Sequence, residues 1–230
     1  KAAPSYAYAK SIIKVINEVA NLVNHDQTIG DKLKIVFLPN YNVSLAEKII
    51  PAADVSEQIS LASKEASGTS NMKLMLNGAI TIATLDGANV EIRDAVGDEN
   101  IYIFGLTEAE VYAYYENKNY SSREVYETNP IVHRVLNAFV DGSIPNIERE
   151  GQEIVDSLLL YNDEYFLLRD FDAYCKAQAR LNQDYQDATH WQKCSLINIA
   201  NAGTFSADKT VKQYAEDIWQ IEPLFAHKGR

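Results

Sequence analysis

The residue types best suited to chemistry lie together in Glu65-Ala-Ser-Gly-Thr-Ser-Asn-Met-Lys73. The stretch continues through Leu74-Met-Leu-Asn-Gly78 and the apolar run Ala79-Ile-Thr-Ile-Ala-Thr-Leu85 to Asp86-Gly-Ala-Asn-Val-Glu91. Gly68 has no Cβ and tolerates left-handed backbone, so a chain can pass close to a ligand there. Thr69 or Ser70 is placed to cap a following helix, whose first-turn N–H groups would face an anion in front of it. Lys73 falls in or near that first turn. The positive end of the helix dipole disfavours an added proton there, and Met72, Leu74 and Met75 would remove water from around the amine.

A free amine beside an anion cradle suits an aldehyde-bearing phosphate such as pyridoxal phosphate, which couples to lysine through its aldehyde and is anchored by its phosphate. The same residues also fit a plain helix cap followed by a solvated lysine. Ser70-x-x-Lys73 matches the Ser-x-x-Lys pair of penicillin-recognising enzymes, but the companion Ser-Asp-Asn and Lys-Thr-Gly motifs are absent. Neither Gly-x-x-x-x-Gly-Lys-[Ser/Thr] nor Gly-x-Gly-x-x-Gly occurs. His25, His133, His190 and His227 are scattered without ligand spacing, so no metal is assigned.

The elements that must position these groups can be read from periodicity. Pro4 suits a first helical turn, and Ile12, Val15, Ile16, Val19, Leu22 and Val23 recur at three and four, which predicts an amphipathic helix closed by Asn24-His25-Asp26. Leu33–Leu38, ending at Pro39-Asn40, is predicted as a buried parallel strand. Val43 to about Ile50 reads as a short helix stopped by Pro51. Gly78 stands where a helix end wants a left-handed residue, Ala79–Leu85 is the next core strand, Asn89–Ala95 a helix and Asn100–Phe104 a further strand. Alternating helices and strands with short links specify an α/β fold with a Rossmann-like, largely parallel sheet and flanking helices, whose ligands bind at the carboxyl ends of strands. From Thr107 onward only helical patterns follow: Glu108–Glu116, Pro130–Val140, Glu150–Tyr161, Phe171–Tyr185, Thr189–Ala202 and Thr210–Trp219. Two divisions result, 1–106 carrying the α/β part and 107–230 the helical part. Tyr165, Phe166, Phe171 and Tyr174 are read as core aromatics.

Composition narrows the partners. A net charge of −11 disfavours nucleic acid and anionic membrane, since both need clustered Lys and Arg. No apolar run approaches the roughly 18 residues of a membrane span. Cys175 and Cys194 sit in separate apolar-periodic segments, as expected of buried thiols in a reducing, cytoplasmic setting. Lys1 is not an initiator methionine and a helical pattern begins within a few residues, so the chain reads as a fragment.

The stretch from Glu65 to Glu91 resembles the cofactor-site signature of the glycogen, starch and maltodextrin phosphorylases. The likeness extends upstream through Phe37-Leu-Pro-Asn-Tyr-Asn-Val-Ser-Leu-Ala-Glu47 and Ile50-Pro-Ala-Ala-Asp-Val-Ser-Glu-Gln-Ile59. Downstream it runs through Phe104-Gly105 and Asn198-Ile-Ala to Phe205-Ser-Ala-Asp208, so essentially the whole chain resembles this family's C-terminal part. The resemblance implies the C-terminal lobe of a two-lobed glycosyltransferase that releases glucose 1-phosphate from the end of an α-1,4-glucan with inorganic phosphate. In that family the phosphate of pyridoxal phosphate serves as the acid and base. It implies that Lys73 holds the Schiff base, that backbone N–H groups near Gly68, Thr69 and Ser70 contact the cofactor phosphate, and that Tyr41 lies against the cofactor. Glu65, Ala66, Ser67 and Gly68 would bond the 3- and 4-hydroxyls of the reacting glucose, with Glu65 and Lys73 at the catalytic centre. At Asn42 the chain departs from the animal and some bacterial members, which carry arginine beside the cofactor phosphate. The family further implies a homodimer at full length and an N-terminal part absent here, without which the fragment would be inactive. The competing reading is a non-catalytic α/β module that binds sugar or a partner.

Overall fold

The computed structural model describes residues 2–222. In chain order the elements are helix α1 (Ala7–His25), α2 (Val43–Ile49), strand β1 (Val55–Gln58), α3 (Ser70–Leu76), β2 (Ile80–Ala83), α4 (Asn89–Val96) and β3 (Tyr102–Ile103). Helices alone follow among the described residues: α5 (Glu108–Asn117), α6 (Ser122–Thr128), α7 (Pro130–Ala138), α8 (Glu148–Val155), α9 (Leu167–Tyr185), α10 (Ala188–Asn201) and α11 (Ala207–Gln213). The chain divides into two compact units. One comprises the residues up to Lys48 with Gly105–Lys176, the other Ile49–Phe104 with the described residues from Ala177 on.

The second unit holds the sheet. Its strands are parallel in the order β1-β2-β3, with Val55 opposite Ile80 and Ile82 opposite Tyr102. All of β2 is buried, as its unbroken Ile-Thr-Ile-Ala run predicts for a central parallel strand. β1 was not legible in advance: Val-Ser-Glu-Gln has neither alternation nor an apolar run, and pairing with β2 makes it a strand. The predicted helix from Gly68 is found as α3, and Gly78 ends it at φ +89°. A Cβ on Gly78 would stand 2.6 Å from Ser195 Oγ, which itself donates to the Gly78 carbonyl at 2.7 Å, so packing against α10 also requires glycine there. Met75, Ile92, Val96, Ile101 and Ala202 form the core beside the sheet. Cys194 is buried in α10 as expected.

In the first unit α1 forms as predicted, although it starts at Ala7 and leaves Pro4 in a preceding turn. Its buried face is rotated from the apolar stripe: Ser11, Val15 and Ala20 are buried while Ile12, Ile16 and Leu22 remain exposed. The cause is polar docking on α8, where Ser11 Oγ donates to Glu153 at 2.6 Å and Lys14 pairs with Glu150 at 2.9 Å. The predicted strand at Leu33–Leu38 is not found. The segment carries no ladder, and Leu33, Val36 and Leu38 are exposed, because no strand among the described residues lies beside it. Ile35 is held by its backbone, its N–H and carbonyl bonded to the Asn24 side chain at 3.0 and 2.8 Å.

The helices after Thr107 appear where periodicity placed them, with α6 in addition. Its start is marked by Ser121, which accepts the Glu124 N–H. Val132, Leu136, Leu158 and Leu168 make the core of these helices, with Phe171 packed on it, and Phe166 is buried among Tyr114, Tyr115 and Tyr120. Two expectations of burial fail: Tyr165 is 46% exposed and Cys175 is exposed, since their positions on the chain face water rather than a neighbouring helix.

Candidate functional site

The signature residues occupy the carboxyl edge of the sheet. β1 ends at Gln58, its continuation runs as an irregular loop to Thr69, and α3 then leads back to β2. This loop is gripped from below by the turn that follows β2. Asp86, 4% exposed, accepts the Ser63 N–H on Oδ1 at 2.9 Å and the Glu65 N–H on Oδ2 at 2.8 Å. The Ala88 N–H donates to the Ser67 carbonyl at 2.8 Å. Asn71, buried in α3, donates to the Ser67 carbonyl at 3.2 Å and to Asn89 Oδ1 at 3.0 Å, while Asn89 in turn donates to the Thr84 carbonyl. Gly87 lies at φ +53°, and a Cβ there would stand 2.5 Å from the Ser67 oxygen, so no other residue fits beneath the loop.

The grip leaves the functional candidates facing water. Glu65, Ala66 and Ser67 are exposed and Gly68 is half-buried at φ +80°. Thr69 stands at the N-cap position of α3 but its side chain makes no capping bond, contrary to the expectation for it; Asn71 Oδ1 instead accepts the Met72 N–H at 2.9 Å. Ser70, the other candidate cap, donates its hydroxyl to Gln58 Oε1 at 3.2 Å. Of the first-turn N–H groups of α3, those of Ser70 and Asn71 are left without a partner inside the helix.

Lys73 lies one helical turn beyond Gly68, and its ammonium makes no hydrogen bond or ion pair among the described residues. The expected removal of water by Met72, Leu74 and Met75 does not occur. The helical turn sends Met75 into the core and Lys73 outward, so the lysine is exposed and its neighbours Met72 and Leu74 are only half-buried. An unpaired, reachable amine next to helix-start N–H groups and a side-chain-free Gly68 is a donor set that suits an aldehyde and a phosphate on one small molecule.

Tyr41 and Asn42 belong to the first unit. Tyr41 is 42% exposed, and Asn42 caps α2, its Oδ1 accepting the Leu45 N–H at 3.1 Å. Sequence reasoning assigned no role to Asn71, Asp86 or Asn89. The available signal was Asp86-Gly87 directly after an apolar strand, a place where a turn must form, but nothing in the spacing named its partners.

Comparison with known proteins bears on the same residues. The family model for carbohydrate phosphorylase matches residues 1–221. The chain is 52% identical over 224 residues to a glycogen phosphorylase of Bacillus subtilis, covering 97% of this chain and 28% of that protein. It is 48% identical to a glycogen phosphorylase of Synechocystis and 47% identical to the liver form from Homo sapiens, in each case over 97% of this chain and 26% of the relative. It therefore spans little more than a quarter of the length of these relatives. With the signature placed on one sheet edge and the match running through both compact units, the chain belongs to the carbohydrate phosphorylase family.

Proposed function

We propose that this chain supplies the cofactor-holding part of an α-glucan phosphorylase, which releases glucose 1-phosphate from the end of an α-1,4-glucan with inorganic phosphate. The observation that carries the reading is the joint placement of the Glu65–Gly68 loop and the Lys73 amine at one edge of a parallel sheet. When bound, pyridoxal phosphate supplies a phosphate able to exchange protons with the substrate phosphate. Lys73 tethers it, and the N–H groups at the start of α3 near Gly68, Thr69 and Ser70 hold its phosphate. The loop then offers the Glu65 carboxylate and the backbone from Ala66 to Gly68 to the hydroxyls of the terminal glucose. A carboxylate accepting from a sugar hydroxyl holds the ring in place as the substrate binds, a contact felt chiefly in KM.

On this reading the sheet is part of the C-terminal lobe of a two-lobed, Rossmann-like glycosyltransferase that acts in the cytoplasm as a homodimer, and activity needs residues beyond this chain. Borohydride reduction of the full polypeptide with pyridoxal phosphate, followed by peptide mapping, should place the pyridoxyl label on Lys73 and not on Lys48 or Lys64. Lys73→Arg should take no label, because a guanidinium keeps the charge yet does not condense with an aldehyde. A label mapped to another lysine overturns the assignment. The 230-residue chain alone should release no glucose 1-phosphate from glycogen, and release by it would refute the need for further residues.

A further inference from the structure

Asp86 is a buried carboxylate with no cation opposite it: none of the ion pairs among the described residues includes it. A charge taken out of water needs hydrogen bonds to offset its lost hydration. Both oxygens of Asp86 obtain theirs from the backbone of a loop 21 and 23 residues earlier, at Glu65 and Ser63. Ser63 is held at φ +82°, a left-handed conformation that a non-glycine residue adopts only where its surroundings enforce it. The bond from its N–H to Asp86 Oδ1 is such an enforcement. Beyond it, the Ala88 N–H and Asn71 Nδ2 fix the Ser67 carbonyl, so alternate residues of the loop are tied inward while Glu65, Ala66 and Ser67 expose their side chains.

From this geometry we propose that Asp86 is a positioning residue for sugar recognition, whose two carboxylate oxygens fix the loop in the shape that presents Glu65 to Gly68 to a glucosyl unit. The inference rests on the phosphorolysis reading above. It depends on the acid rather than on a side chain of that size. Asparagine has one acceptor oxygen, and its amide would face the second loop N–H donor to donor. Asp86→Asn thus keeps the volume and one tie, and turns the other into an opposed pair of donors.

Two measurements test it. In the unmodified protein, hydrogen exchange should show the Ser63 and Glu65 amides exchanging at least about tenfold more slowly than those of Ala66 and Ser67. Equal rates at all of these positions would overturn the tie itself, whether or not any variant folds. In the full polypeptide, Asp86→Asn should raise KM for glucan and glucose 1-phosphate by about tenfold while kcat changes by less than about threefold, the signature of lost ground-state sugar contacts. Pyridoxyl labelling of Lys73 should be retained, since α3 holds that lysine independently of the loop N–H groups. A kcat loss with unchanged KM, or loss of Lys73 labelling with it, would assign Asp86 a merely structural role and sink the proposal. A parent polypeptide without phosphorolysis overturns both readings together. An active parent whose Asn variant keeps its KM overturns this one alone.

Discussion

Asp170 is a residue whose ionisation bears on the stability of the first unit. It lies in the first turn of α9, accepts the Leu106 N–H on Oδ1 at 3.0 Å, and packs so closely on Gly105 that a Cβ there would stand 2.6 Å from its Oδ2. Burial pushes its carboxyl up to about 6 from an ordinary 3.8. Between those values the unfolded chain has lost the proton and the folded chain has kept it. The contribution to stability is therefore complete below pH 3.8 and is lost as pH rises through about 6. Asp170→Asn should remove this dependence, so that from acid to neutral pH the variant gains on the parent by roughly 2 kcal/mol in denaturant unfolding, the full effect of the shift being reduced because water still screens part of the carboxyl. Parallel pH curves for the two proteins would refute the assignment. At this scale the sequence was a partial guide. The types and order of Glu65, Gly68 and Lys73 mark a candidate site, because short-range spacing on a loop and helix is visible in a string of letters. The exposure of Lys73 was not visible, since it depends on the phase of α3 against the core. Nor was the role of Asp86, whose partners lie more than 20 residues away with no period linking them.

Among elements, those that carry their own end signals were legible and those that need a neighbour were not. Thr107 and Glu110 form a reciprocal cap at the start of α5, and Asn129 with Pro130 opens α7, so both helices could be bounded from local chemistry. β1 and the Leu33–Leu38 segment were misjudged in opposite directions because a strand is defined by what pairs with it. The seating of α8 offers an element-scale test. Gly151 lies against the end of α7 so closely that a Cβ would overlap the Phe139 carbonyl oxygen, a backbone atom that cannot turn aside. Gly151→Ala should therefore destabilise the chain by about 2 kcal/mol despite the higher helix propensity of alanine, through displacement of α8 from α7. Thermal unfolding would show it, and an unchanged or raised midpoint would count against this packing.

Across the whole chain, two compact units are each assembled from separated stretches of sequence, so no boundary at a single point divides them. Periodicity and composition report on neighbours along the chain and are silent about such interleaving. The first unit leaves Leu33, Val36 and Leu38 exposed on a segment outside any ladder, with Val43 at 75% exposure just beyond. Unpaired backbone with apolar side chains is a template for pairing with another chain. The 230-residue chain should accordingly self-associate in sedimentation velocity, and more strongly at high salt, where the repulsion between copies of net charge −11 is screened. A monomer at every salt concentration across the micromolar range would contradict this.

The tie between the Glu65 loop and the turn after β2 sets the smallest piece that could be moved elsewhere. Grafting residues 65–73 onto another sheet would transfer the letters of the site without their shape, since Glu65, Ser67 and Asn71 are held from outside that stretch by Asp86, the Ala88 backbone and Asn89. A transplant would have to carry β1, α3, β2 and the turn through Asn89 as one block, in their parallel register. For the same reason, a change that slips β1 against β2 by one residue would dismantle the loop without altering a single residue in it.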